Sequence, residues 1–139
     1  MLKIIKIALP FLLVGALVAY QFMTPKGPLD IRAAPTELTI NAGSLFADFS
    51  EDEEGANATY VGKVIEVSGQ LNAIDQDEAG AYQLKLAVDD PLGQVICSLA
   101  PGENNPLGSA SIGSTTTIKG VCTGYLFDVV IDNATIITQ

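Results

Sequence analysis

From Tyr60 onward, apolar residues recur at every second position, a period that fits strands and argues against a helical fold for most of the domain. Ile65, Val67 and Leu71 alternate with Glu66, Ser68 and Gln70, and Gly69 marks a bend or bulge in a long first strand. Tyr82, Leu84, Leu86 and Val88 alternate with Gln83, Lys85 and Ala87, as expected of a strand with one buried face. Val95, Cys97 and Leu99 form a short third strand after the turn at Asp89–Gly93. Residues 100–114 hold two prolines, three glycines and two asparagines and read as a long loop. Thr116, Ile118 and Cys122 mark a fourth strand; Phe127, Val129, Ile131, Ala134 and Ile136 mark a fifth. Five strands, bent at glycine and with one long connection, predict a small closed β-barrel.

A helix precedes the strands. Asn41 is placed to cap it, and Leu45, Phe46, Phe49 and Ala56 fall on one helical stripe. The acidic run Ser50–Glu54 reads as a solvated face, and its Ser-x-x-Glu spacing offers the start of a later helix.

At the N-terminus, nineteen consecutive residues between Lys6 and Lys26 carry no charge. At about 1.5 Å per residue they span roughly 28 Å, close to the ~30 Å of a bilayer core. The reading is a membrane anchor, with a cleaved signal peptide as the alternative; Leu17-Val18-Ala19 is a poor cleavage site because its first position is bulky. No cysteine precedes Cys97, so a lipid-modified cysteine near the start is not expected. The expected organisation is a basic tail (1–6), a transmembrane signal-anchor helix (7–25), a Pro-rich linker (26–40) acting as a spacer, and a helix plus barrel (41–139). The short basic tail favours an extracytoplasmic domain, although Lys3 and Lys6 are matched by Lys26 and Arg32 on the other flank.

Charge narrows the function classes. The chain carries 7 basic and 16 acidic residues, for a net −9. From Thr36 onward three bases face fifteen acids, or −12. That balance opposes phosphate neutralisation and hence nucleic-acid binding. With no histidine in the chain, His-based metal sites and His-dependent nucleophile activation are excluded. No Ser, Cys or Lys has a recognisable base beside it, so no catalytic, cofactor-binding or metal-ligating residue is assigned. Asp75-Gln76-Asp77-Glu78 resembles the start of a calcium loop, but Leu86 stands where the bidentate carboxylate belongs, and a solvated turn is the simpler reading. Asn57-Ala58-Thr59 and Asn133-Ala134-Thr135 match the glycosylation sequon and are read as accidental.

The run Leu45…Phe49…Ala56-Asn57…Tyr60-Val61-Gly62-Lys63-Val64-Ile65-Glu66-Val67-Ser68-Gly69 resembles the opening signature of the tRNA_anti-like OB-fold family. Gly113–Leu126, followed by Val129-Val130-Ile131, is similar to its closing signature. The resemblance implies a five-stranded OB-fold barrel with a leading helix, in a bacterial protein that is membrane-anchored or exported and has no established activity. It also implies that the fifth strand lies between the third and fourth, separating Cys97 from Cys122. A disulfide between these two across the barrel interior and two free, buried thiols both remain open.

OB barrels commonly bind along their second and third strands. On that basis Gln83 and Lys85 are candidate ligand-facing residues. Tyr125 joins them as the one ring expected to be exposed, while Tyr82 and Phe127 are read as core. The expected function is a membrane-tethered extracytoplasmic binding module for a protein or small molecule, without a cofactor, with the membrane and a cell-envelope protein as partners. The alternatives are an enzyme or weak metal-binding domain with an unfamiliar site, and a nucleic-acid-binding OB domain.

Overall fold

The computed structural model describes residues 14–16, 29–103, 106 and 110–137. The expected anchor, 7–25, lies outside these except for 14–16, which are helical. No helix among the described residues is long and apolar enough to cross a membrane.

The chain enters the domain through β1 (Leu38–Asn41), a short strand parallel to the first part of β2 (Val64–Gln76). Between them lie α1 (Ala42–Glu51) and α2 (Glu53–Tyr60). Then follow β3 (Tyr82–Ala87), β4 (Gln94–Leu99), β5 (Thr115–Leu126) and β6 (Asp128–Ile137). The sheet order is β1-β2-β3-β4-β6-β5, and a further β2–β5 pairing closes β2 to β6 into a five-stranded barrel. β6 lies between β4 and β5, parallel to the former and antiparallel to the latter.

Asn41 is both the last residue of β1 and the cap of α1, its side-chain oxygen accepting from the Ser44 N–H at 2.8 Å. The α1 stripe Ala42, Leu45, Phe46 and Phe49 is buried. Asp52 ends α1 and caps α2 by accepting from the Gly55 N–H at 3.1 Å. The later helix therefore exists, but Asp52 is its cap, and the Ser50 hydroxyl donates instead to the Ala47 carbonyl. Glu53 and Glu54 occupy the first turn of α2, where the helix dipole favours acids.

Two glycines allow α1 to lie close to the barrel. A Cβ on Gly69 would come within 2.9 Å of the Ala42 Cβ, and one on Gly93 would overlap the Phe46 ring. Inside the barrel Ile65, Val67, Leu71, Leu84, Leu86, Val95, Ile118, Val129 and Ile131 are fully buried, matching the alternation in the sequence.

The stretch 26–40 departs from the expected spacer. Residues 38–41 form β1, and residues 29–37 lie against the barrel as a strap. Asn133 Nδ2 donates to the Leu29 carbonyl at 2.9 Å, and Ile31 is buried. Arg32 forms a two-pronged ion pair with Glu103, its Nη2 reaching 2.7 Å from Oε2. Lys119 Nζ donates to the Ala34 carbonyl, and Thr36 Oγ1 donates to Glu66 at 2.9 Å. Glu37 is held twice by Val64, through its N–H to the Val64 carbonyl and through its carboxylate from the Val64 N–H. Residues 29–37, with Pro35 among them, form no regular element, yet their side chains and backbone find partners on the barrel surface.

Leu84→Ala should destabilise the domain by about 2–5 kcal/mol, since the side chain is fully buried. Gly93→Ala should cost about 1–3 kcal/mol by forcing the Phe46 ring off its seat. Urea unfolding of the two variants beside the parent checks both figures, and parent-like midpoints would contradict the packing described.

Candidate functional site

The outer face of the barrel over β2, β3 and β4 carries two of the three side chains expected to meet a ligand, Gln83 and Lys85. β3 points Leu84 and Leu86 inward, which turns Gln83 and Lys85 outward beside β4. An irregularity in β2 between Leu71 and Ala73 sets Ala73 opposite Lys85 and Asp75 opposite Gln83. Lys85 Nζ lies 2.7 Å from Asp75 Oδ2, so the cation on this face is already paired with a carboxylate. Both side chains are partly exposed, and a pair of this kind contributes little to stability.

Tyr125 does not join this group. Its ring stacks on Phe49 at a centroid distance of 5.7 Å and meets Phe46 edge-on at 5.8 Å. It is half-buried in the contact between α1 and the barrel, a packing role that strand alternation alone could not reveal. Phe127, expected in the core, is 79 % exposed, as is Leu126. Leu126 pairs with Asp128, leaving Phe127 at the apex of the β5–β6 turn with φ 65°. The two-residue alternation fails there because the strand ends at Leu126. Tyr82 is partly buried and packs against the core, in line with its reading.

The acidic turn between β2 and β3 is organised by its own backbone. Asp77 Oδ1 accepts from the Ala81 N–H at 2.9 Å, and Gln76 Nε2 donates to the Gly80 carbonyl at 2.8 Å. Gly80, at φ 88°, supplies the left-handed residue that such a turn requires. Asp75 and Asp77 are thus engaged with Lys85 and the turn. Among the described residues no group of three or more His, Cys, Asp or Glu is placed to hold a metal ion.

Cys97 and Cys122 are buried and unbonded. Both pair with Ile131, Cys97 from β4 and Cys122 from β5, so they flank one β6 residue. Two strand spacings of about 4.8 Å put their Cα atoms roughly 9–10 Å apart, beyond the ~4.4–6.8 Å reach of a disulfide. The bridge considered from the sequence is not formed. Burial pushes the Cys97 thiol well up, reinforced by the Asp132 carboxylate and by Cys122. Burial also raises Cys122 to about 11, opposed by a backbone hydrogen bond at Gly124. Tyr60 is raised to about 12 by burial and by donating its hydroxyl hydrogen to Asp48 Oδ2 at 2.6 Å.

A closed five-stranded barrel with this strand order is an OB fold. The chain belongs to the tRNA_anti-like family, whose signature matches residues 1–136. Among solved structures it is similar to a "putative nucleic acid-binding lipoprotein" from Klebsiella pneumoniae subsp. pneumoniae MGH 78578. The identity is 18% and the TM-score 0.59, over 80% of this chain and 99% of that one, and at this identity the likeness concerns the fold alone. No curated protein matches the chain in sequence.

All three raised groups are neutral in the folded state and ionise at lower pH once unfolded. Their stabilisation is therefore complete below about pH 8.5 and is lost as pH climbs through the folded values. Stability should fall between about pH 8.5 and 11, and the paired substitutions Cys97→Val and Cys122→Val should flatten the early part of that fall. Denaturant midpoints across the range check the slope, and a level parent profile would contradict it. At pH 8 the native thiols should resist a chromogenic disulfide reagent and both should react after unfolding.

Proposed function

We propose that this chain is a membrane-tethered, extracytoplasmic OB-fold binding module whose ligand is a protein or a small molecule. The observation that carries the reading is the state of the face over β2, β3 and β4. The cation there, Lys85, is paired with Asp75, and the one ring expected to serve a ligand, Tyr125, is packed against Phe46 and Phe49. Single-strand binding by OB folds uses a basic groove and exposed aromatic platforms. This face instead offers the amides of Gln83 and Gln94, Ile96, Ser98 and a paired cation within an acidic domain.

The tether rests on the nineteen uncharged residues at 7–25. The structural neighbour's designation as a lipoprotein is in keeping with attachment to the cell envelope. Because the strap docks from Leu29 onward, only residues 26–28 separate the proposed anchor from the barrel. Three extended residues reach about 10 Å, so the domain sits close to the headgroups. The reading assigns no catalytic residue and no cofactor.

Nucleic-acid binding is the second reading, favoured by the neighbour's title and opposed by the −12 charge from Thr36 onward. The full chain should stay in the membrane pellet after alkaline carbonate extraction, and protease added outside spheroplasts should reach its C-terminal domain. Recovery in the soluble fraction, or protection from the protease, would refute the tether or its orientation. At ~150 mM salt a labelled 20-nucleotide single strand should not bind at micromolar protein; binding that weakens steeply with salt would favour the second reading.

A further inference from the structure

Three large apolar side chains stand in solvent at one end of the barrel: Leu92 at 91% exposure, and Leu126 and Phe127 at 79% each. Two chain turns bring them together. Leu92 lies in the β3–β4 loop, and Leu126 and Phe127 form the β5–β6 turn. The Gln94 N–H donates to Asp128 Oδ1 at 3.1 Å, tying the two turns, and each of the three residues lies within two positions of that bond. The Leu92 side is fixed by its own N–H, which donates to Asp90 Oδ1 at 2.8 Å. Phe127 adopts φ 65°, a left-handed conformation that is costly for a bulky residue. An Asn or Gly would satisfy the turn more cheaply, and burial within the domain does not account for the ring.

We infer that this tip is a docking surface for a cationic polypeptide segment with an apolar centre, received by Leu92, Leu126 and Phe127 and rimmed by acids. Charge selects the occupant. Residues 87–94 and 125–130, which build the tip, contain Asp89, Asp90 and Asp128 and no base. A second copy of this chain would bring the same acids and the same −12 domain charge against them. An anionic bilayer would be repelled in the same way. Position argues against the bilayer as well. The strap meets the barrel at Ala100–Glu103 and Asn133, the far end of the β4–β6 pair from the Gln94–Asp128 bond. The length of six-residue β4, about 20 Å, thus separates the tip from the end where the chain leads toward the proposed anchor. The surface pairs an apolar centre with a charged rim, the usual anatomy of a protein-binding patch.

This inference rests on the protein-binding form of the proposed function and names its surface and the chemistry of its partner. The test uses the full chain in detergent at ~150 mM salt and a labelled amphipathic peptide with Leu at helical spacing and Lys on the opposite face. Comparison probes are the same peptide with Glu for Lys, the protein's own self-association by sedimentation, and, after removal of the detergent, vesicles of phosphatidylglycerol. The Lys peptide should bind, the Glu peptide should not, no self-association should appear, and vesicle association through the anchor should be the same in the tip variants as in the parent. Leu92→Ser, Leu126→Ser and Phe127→Asn should each weaken binding about tenfold. Their melting temperatures should stay at the parent value, or rise for Phe127→Asn, because Asn tolerates the left-handed turn. Leu29→Ser, at the far end of β4, should bind like the parent.

No peptide binding by the parent, or binding that the tip variants leave within twofold, overturns the inference. Melting temperatures that drop sharply in all three variants would assign the tip to the fold and overturn it equally. Vesicle binding or self-association lost in the same variants would replace the polypeptide with a membrane or a second copy. Failure of the tether appears separately, in the carbonate and protease experiments, and leaves the peptide result interpretable.

Discussion

β2 exchanges partners partway along its length. Through Gln70 it is paired with β5, and from Leu71 to Gln76 it is paired with β3. This exchange closes the barrel, and it requires a strand long enough to serve both neighbours and bent enough to turn between them. The irregularity between Leu71 and Ala73 provides the bend. Two positions before it, Gly69 admits Ala42 at the start of α1, so the helix is seated beside the place where the wall closes. A side chain at Gly69 would push on Ala42 from one side and on Leu86 of β3 from the other. Closure, helix docking and β3 pairing are thus coupled at one residue without a Cβ.

The helix contact in turn shapes what the surface can offer. Phe46 and Phe49 from α1, Tyr60 from α2 and Tyr125 from β5 form one aromatic cluster, with Asp48 accepting the Tyr60 hydroxyl. Each ring fills space between the helices and the barrel. Leu126 and Phe127, one and two positions beyond Tyr125, are left outside. Within two residues the chain therefore passes from a ring packed under the helices at the end of β5 to a ring exposed in the β5–β6 turn.

Much of the fold is legible in the sequence because burial is one-sided. β3 reads cleanly: Leu84 and Leu86 are fully buried while Gln83 and Lys85 are not. Asn41 and the Leu45–Phe49 spacing announce α1 for a similar reason, since a capped amphipathic stripe has few other solutions. β1 is not legible because four residues, alternately half-buried and exposed, are too few to set a period and owe their strand to β2. The strap is hidden by composition. Prolines suggest a free spacer, whereas its order comes from contacts with Glu103, Lys119, Glu66 and Asn133, all remote in sequence. Tyr125 and Phe127 were exchanged in the reading because alternation reports only which face of a strand a residue occupies. It does not report that a helix covers the strand at Tyr125 or that the strand has ended by Phe127. The candidate site was therefore readable for Gln83 and Lys85, and its pairing with Asp75 depends on a β2 register no local signal shows.

Electrostatics joins these features. The described residues hold four bases, and three are committed within the domain: Arg32 to Glu103, Lys85 to Asp75 and Lys119 to a backbone carbonyl of the strap. The acids far outnumber these partners, so the domain's field toward solvent is negative. Such a field accelerates encounter with cations over about a Debye length, ~8 Å at physiological salt, and slows the approach of anions. The ion pairs of Arg32 and Lys85 lie along the strap and the β2–β3–β4 face, whereas residues 87–94 and 125–130 add three acids without a base. Acids without a base and the exposed apolar side chains therefore coincide at this end of the barrel. There, long-range attraction and short-range desolvation favour the same class of partner.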